Sequence, residues 1–379
     1  MPDRVPFVAL DRQHAPLADD LRAAFDRVVR GSGFVLGSEV TAFEEEFADY
    51  CGTAECVGVA SGTAALTIAL QAAGIGPGDE VIVPAHTFIA SALGVVHAGA
   101  TPTFCDVEDG TGLIDVESAA DSLSKRTAAV LPVHLYGQLA DMDAVGAFAS
   151  RHGLAVFEDA AQAHGAGWRG RGAGTHGAAA AFSFYPSKNL GALGDGGAIC
   201  TGDPAIATRA RALRDLGQPR KGEHELTGWN ERLDGLQAAL LRAKLPHLDA
   251  WNAARRDRAS RLRSLLRETP LRLLQERAES PCVYHLFPVR SPERDELARR
   301  LYEADVDTGV HYWPACHHQP PFAGADTAAE ERFPRAAAWA AEELSLPMFE
   351  HLTDAEVDRI ASACKTACGV LEAGDLGYA

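Results

Sequence analysis

Through residues 55–201, short apolar runs alternate with stretches of helical spacing, and few architectures are open to a chain so patterned. Cys56–Ala60, Glu80–Pro84, Pro102–Asp106, Ala128–Val133, Ala155–Glu158, Ala180–Phe184 and Gly197–Thr201 read as strands. Helices are expected over Thr63–Ala73, ended by Gly74, over Phe88–Ala98, closed by Gly99, and near 115–124 and 141–152. Strands alternating with helices predict an α/β domain with a largely parallel sheet covered on both faces. The pattern leaves open whether one late strand runs antiparallel. Ahead of the sheet, residues 16–30 place Leu21, Ala24, Phe25, Val28 and Val29 at helical spacing, and 38–50 repeats it with Ser38 as a cap.

Near residue 235 the pattern changes. Residues 235–267 read as long helical structure interrupted at Pro246. A strand (Cys282–Val289), a helix (Arg294–Ala304), a loop rich in His and Pro and a last helix (Asp354–Leu371) follow. The reading is a large α/β domain over 1–250 and a smaller α+β domain over 251–379, two domains being the expectation for 379 residues.

Charge limits the partners. With 35 basic and 52 acidic side chains, the net charge is −17, which disfavours DNA, RNA and anionic membrane surfaces but not one small phosphorylated ligand in a local pocket. No run approaches the ~20 apolar residues of a membrane span, and charges and prolines break up the N-terminus, so no signal peptide is expected. Eight scattered cysteines without a CxxC pair suggest free, buried thiols in a reducing, cytoplasmic setting.

Four segments carry chemistry. In SFYPSKNLGALGDGG (183–197), Lys188 follows an apolar strand and precedes a glycine-rich loop, where desolvation would lower its pKa and free its amine as a nucleophile. In VFEDAAQAHG (156–165), a strand delivers Glu158 and Asp159 at its carboxyl end, where open α/β sheets bind ligands. A lysine for an aldehyde and an acid for a cationic ring nitrogen is the division of labour pyridoxal phosphate requires. In ASGTAAL (60–66), strand, Ser61-Gly62-Thr63 and helix form an anion cradle, although neither a dinucleotide fingerprint nor a P-loop is present. In PAHTFIAS (84–91), Phe88 could offer a flat apolar wall to a conjugated ring. Cys316-His317-His318 lacks a second ligand pair, so no metal is expected, and His134 reads as structural.

In this order, and with FVLGSEVTAFEEEFADYCG, GWNERLDGLQAALLRAKL, YHLFPVR, GVHYWPACHHQPPF and ELSLPMF, the chain resembles the DegT-type nucleotide-sugar aminotransferases nearly end to end. These are fold-type I, aspartate aminotransferase-like enzymes, and the resemblance implies a mostly parallel seven-stranded sheet in the large domain. It implies that Lys188 holds pyridoxal 5'-phosphate covalently and moves the proton, with pyridoxamine 5'-phosphate as the intermediate form. Asp159 would pair the ring nitrogen and Gln162 would lie beside the phenolic oxygen. Gly62, Thr63 and Ser183 would bind the phosphate, Phe88 would stack, and Asn230 would reach the cofactor of a partner subunit in a homodimer. Tyr185, Lys221, His311 and Tyr312 match positions around the sugar-nucleotide pocket; Trp313 and Ser187 depart from the common pattern.

The implied reaction moves an amino group from L-glutamate to a keto-deoxysugar nucleotide by a ping-pong sequence. The look of 183–197 is nearest to enzymes aminating carbon three of deoxythymidine-diphosphate sugars. A 4-keto sugar nucleotide, an aminocyclitol of the scyllo-inosose type, and a non-catalytic cofactor-binding regulator stay open. A sugar dehydratase would carry histidine in place of Lys188.

Overall fold

A computed structural model describes residues 4–323 and 332–370. Twelve strands occur among these: β1 (Glu55–Val59), β2 (Glu80–Pro84), β3 (Thr101–Cys105), β4 (Thr127–Val130), β5 (Ala155–Asp159), β6 (Gly167–Trp168), β7 (Arg171–Gly172), β8 (Ala179–Ser183), β9 (Gly197–Thr201), β10 (Arg272–Leu273), β11 (Phe287–Arg290) and β12 (Glu343–Leu346). Seven of them form the central sheet in the order β1-β9-β8-β5-β4-β2-β3. The late strand that breaks the parallel pattern is β9, antiparallel to both β1 and β8; all other pairs are parallel.

Side chains alternate across a strand, and here the alternation sorts them into two cores. Val57, Val59, Val81, Val83, Ala129, Phe157, Ala179 and Ala181 fall on one face; Cys56, Ile82, Val130, Ala180 and Phe182 fall on the other. The first face is covered by the helix Gly62–Ala72, buried from Ala64 to Leu70, and by Pro204–Arg214. Gly74 and Gly99, just past their helices, take left-handed φ values of +89° and +91°, which glycine adopts without strain. Ser38, expected as a cap, is the first helical residue; Gly37 precedes it.

Residues 235–267 form two helices, Gly235–Lys244 and Leu248–Leu265, joined by a 3-10 turn through Pro246. The second sheet, β10-β11-β12, is antiparallel. The strand expected over Cys282–Val289 begins only at Phe287, because Tyr284 sits at φ +45°, outside the extended region. The helix Pro334–Glu342 and β12 lie where the sequence showed only a His- and Pro-rich loop. The last helix ends at Ala367, and Leu371 lies outside the described residues. Residues before the first long helix tie to the C-terminal part: Val5 bridges Val306, and Arg4 pairs Asp307 at 2.7 Å. All eight cysteines are free thiols and seven are buried.

Candidate active site

The cleft is assembled at the carboxyl ends of the parallel strands. Strand β5 decides which of its two terminal carboxylates faces it. Asp159 lines the cleft, whereas Glu158 points to the opposite face. There it accepts hydrogen bonds from His134 Nε2 (3.0 Å) and from the backbone N–H groups of Gly174 (3.0 Å), His176 (2.9 Å) and Gly177 (3.2 Å). His134 Nδ1 accepts from Ala140 N–H at 3.3 Å, which places its proton on Nε2. These donors outweigh burial and hold the Glu158 carboxyl below its ordinary range. Glu158→Gln is therefore expected to cost roughly 3–5 kcal/mol of folding stability by denaturant titration, while the folded variant keeps its cofactor. A change of less than about 1 kcal/mol would contradict the assignment.

Asp159 Oδ2 accepts from Ser91 Oγ at 2.6 Å, Ser91 in turn meeting Thr87 Oγ1 at 2.8 Å, and Oδ1 accepts from Ala161 N–H at 3.2 Å. Burial pushes its pKa up, opposed by these bonds and by Lys188. A buried carboxylate short of countercharge is suited to a cationic ring nitrogen.

Strand β8 positions the lysine. Phe182 and Phe184 turn into an aromatic cluster with Phe43 and Phe47, with centroids 5.1–5.2 Å apart edge to face; Ser183 and Tyr185 consequently face the cleft. A turn closed by Lys188 N–H to Tyr185 O (2.8 Å) then aims Lys188 inward. Burial lowers its pKa to about 8, against the pull of Asp159. Its Nζ lies 3.5 Å from His285 Nε2. Asn189 spends both amide protons on Asn252 Oδ1 and Val283 O, so its oxygen accepts from His285 Nδ1 at 3.2 Å. That leaves His285 Nε2 an acceptor toward Lys188. With a pKa near 8, about a quarter of Lys188 is free amine at pH 7.5, against roughly a thousandth for an ordinary lysine. Cofactor capture by cofactor-free protein should thus accelerate up to about pH 8 and then level off in stopped-flow traces. A rise continuing to pH 10 would show an unperturbed amine.

Burial alone does not select this residue. Lys244 is fully buried, also lowered to about 8, but its Nζ is spent on Gln13 Oε1, His14 and Gly191 O behind the loop, and it does not line the cleft.

The anion cradle differs in detail from expectation. Ser61 caps the helix by accepting from Ala64 N–H at 3.1 Å. The amides of Gly62 and Thr63 have no acceptor among the described residues, as expected for a first helical turn. A Cβ on Gly62 would stand 2.7 Å from Ser183 Cβ, so only glycine lets the helix start close against the end of β8. Two free N–H groups and the hydroxyls of Thr63 and Ser183 thereby meet at one corner of the cleft. The donor set fits a phosphate, and with Lys188 and Asp159 across the cleft it fits pyridoxal phosphate.

Of the twelve residues singled out in the sequence, ten line this cleft of about 450 Å³: Gly62, Thr63, Phe88, Asp159, Gln162, Ser183, Tyr185, Lys188, His311 and Tyr312. Phe88 packs on Tyr312 at 5.0 Å between centroids. Gln162 accepts from Tyr136 N–H at 2.6 Å and donates to Tyr312 Oη at 2.9 Å, which fixes its amide. Asn230 and Lys221 lie outside the cleft on the exposed surface of this chain, and Arg220 pairs Glu223 at 3.4 Å. Ser91 and His285 also line the cleft, and no sequence motif singles them out; an isolated histidine in the apolar run YHLFPVR is the one signal for the second. Cys316 donates to Thr87 O at 3.3 Å, and the His317 and His318 rings meet tilted at 52° with centroids 3.9 Å apart. Among the described residues no helix is long and apolar enough to cross a membrane.

The profile of the DegT/DnrJ/EryC1/StrS aminotransferase family matches residues 17–365. The chain belongs to this family. It is 47% identical over 363 residues to a dTDP-3-amino-3,4,6-trideoxy-alpha-D-glucose transaminase from Streptomyces venezuelae, covering 96% of each protein. It is 46% identical to the erythromycin biosynthesis sensory transduction protein EryC1 of Saccharopolyspora erythraea, covering 95% of this chain and 99% of that one. The crystal structure of S. venezuelae DesV in complex with a ketimine intermediate superposes with a TM-score of 0.94 at 46% identity, covering 96% and 99% of the two chains. As a family member the chain is a pyridoxal phosphate-dependent aminotransferase.

Proposed function

We propose that this aminotransferase moves an amino group from L-glutamate to a keto-deoxysugar nucleotide of the dTDP-3-keto-6-deoxyhexose type. The observation that carries the reading is a buried, deprotonation-prone lysine in one cleft with Asp159 and a free helix N-terminus; the sugar class rests on the likeness to the S. venezuelae transaminase. Bound there, the cofactor supplies an electron sink for the carbon beside the donor's nitrogen. Asp159 keeps the ring nitrogen protonated, held in line by Ser91 and Ala161. With the cofactor bound, Lys188 would serve as the base that takes the alpha proton and the acid that returns it, its pKa of about 8 favouring both directions. Gly62, Thr63 and Ser183 hold the phosphate, and the Phe88–Tyr312 wall keeps water from the ring.

A relative bears a regulator's name, but here Lys188, Asp159 and Gln162 all line the cleft, which favours catalysis. Supplying 3-keto and 4-keto sugar nucleotides and scyllo-inosose separately, with glutamate, tests the assignment by product mass and NMR. Amination of the 3-keto sugar is expected; exclusive turnover of either rival would replace it.

The homodimer reading is supported by Phe25, Val29, Phe34 and Val35, each about half exposed, and by a groove that Phe25 lines with Leu21, Leu193, Leu236 and Leu240. Phe25 and Val29 were expected on the buried helical stripe; burial by a second copy accounts for them. In that assembly Asn230 would reach the partner's phosphate and Lys221 the sugar nucleotide's pyrophosphate. The division into 1–250 and 251–379 is likewise proposed, supported by the separate β10-β11-β12 sheet. Cytoplasmic residence is proposed from the free thiols.

A further inference from the structure

Behind the cleft lies a buried carboxylate that the mechanism above does not use. Glu343 and Ser345, alternate residues of β12, are both fully buried and face His311. Ser345 Oγ lies 2.6 Å from Glu343 Oε1 and 2.9 Å from His311 Nδ1, and His311 N–H donates to Glu343 Oε2 at 2.5 Å. The ring is held flat against Phe7, with centroids 5.5 Å apart and planes 15° apart. His311 lines the cleft, and its Nε2 has no protein partner among the described residues.

We propose that Glu343 and Ser345 are positioning residues that form a proton relay to His311, making its Nε2 a donor to the sugar's keto oxygen when Glu343 is protonated and an acceptor when it is ionised. The proposal rests on the reading of the cleft as a sugar-nucleotide site. With the proton on Glu343, the acid donates to Ser345 Oγ, Ser345 donates to Nδ1, and Nε2–H faces the cleft. With Glu343 ionised, Ser345 donates to the carboxylate, Nδ1–H donates to Ser345, and Nε2 is bare. Passage between the two states moves three protons one bond each: Nε2 gives one to the sugar oxygen, Nδ1 receives Ser345's, and Ser345 receives Glu343's. The imidazole stays neutral throughout and Glu343 carries the resulting negative charge.

The surroundings favour this exchange. Burial lowers His311 to about 4 and, with Lys188 also opposing a positive ring, keeps it neutral. Burial raises Glu343 to about 8 against the hydrogen bonds from His311 and Ser345 and the charge of Arg294. The other groups facing the relay are Tyr136 and Tyr312, whose hydroxyls burial holds protonated, and Arg290, opposite Glu343 across the sheet but engaged by Asp109 and Glu342. The donor state is thus occupied below about pH 8 and lost as pH rises through it.

The test uses cofactor-loaded enzyme and two variants, Glu343→Gln and Ser345→Ala. In Glu343→Gln the amide NH₂ donates permanently toward Ser345 and its oxygen still accepts from His311 N–H, so the donor tautomer is locked. With ¹⁵N-histidine labelling, and His311 assigned through His311→Gln, the wild-type ring should change from Nε2–H to Nδ1–H between pH 6.5 and 9, and Glu343→Gln should stay Nε2–H throughout. Ser345→Ala should slow the reaction with dTDP-3-amino-3,4,6-trideoxy-α-D-glucose, followed by the cofactor's absorbance, by about tenfold or more. Its half-reaction with glutamate should stay within about twofold of wild type. An unchanging wild-type tautomer, or equal slowing of both half-reactions, overturns the relay. Wild-type enzyme inert to the amino sugar but reduced by glutamate overturns the sugar assignment instead.

Discussion

Lys188→Ala is expected to lower transamination by about 10⁴-fold or more while leaving the fold intact. Two functions disappear together: the covalent tether for the cofactor and the base that relays the alpha proton. Folding should survive because the Nζ makes only one long contact, 3.5 Å to His285, and an uncharged side chain spares the cost of burying an amine. The matching control is Lys244→Ala. That amine satisfies Gln13 and Gly191 O, so its loss should cost roughly 1–3 kcal/mol of stability with the covalent link to cofactor preserved. Steady-state turnover with glutamate and denaturant titration of both variants separate the two roles. Persistent turnover in Lys188→Ala, or its loss in folded Lys244→Ala, would exchange the assignments.

Asp159→Asn is expected to reduce turnover by about 10²–10³-fold. The carboxylate is buried and positioned by Ser91 Oγ and Ala161 N–H, and it is the charged group available to keep a ring nitrogen cationic. The amide keeps the shape and removes the charge. The expected signature is a slowed proton-abstraction step with cofactor still covalently attached, seen as a larger deuterium isotope effect with alpha-deuterated glutamate. Near wild-type turnover would mean that Asp159 serves Ser91 and the turn at Ala161 and does no more.

The alternation of apolar runs with helical stretches sufficed to read the sheet, because strands largely covered on both faces leave short continuous apolar runs. Lys188, Asp159 and Gly62 were legible because each stands at a strand end, where the fold places ligands. Direction was not: β9 runs antiparallel through pairing with β1 and β8, long-range partners that local pattern does not encode. Nor was the sorting of Glu158 from Asp159, which depends on the register of β5 and on Gly174, His176 and Gly177 arriving from another loop. The pairing of His311 with Ser345 and Glu343 joins residues more than thirty positions apart and is visible only once β12 is folded. Asn230 and Lys221 are exposed and outside the cleft, and would gain partners only in the proposed dimer.

The central claim is one covalent bond between one amine and the cofactor. Purified protein supplied with pyridoxal phosphate is reduced with borohydride, digested and mapped by mass spectrometry. The account predicts the reduced pyridoxyl phosphate adduct on Lys188 alone, absent from Lys188→Ala. No stable adduct, or an adduct on Lys244 or a surface lysine in its place, would contradict it.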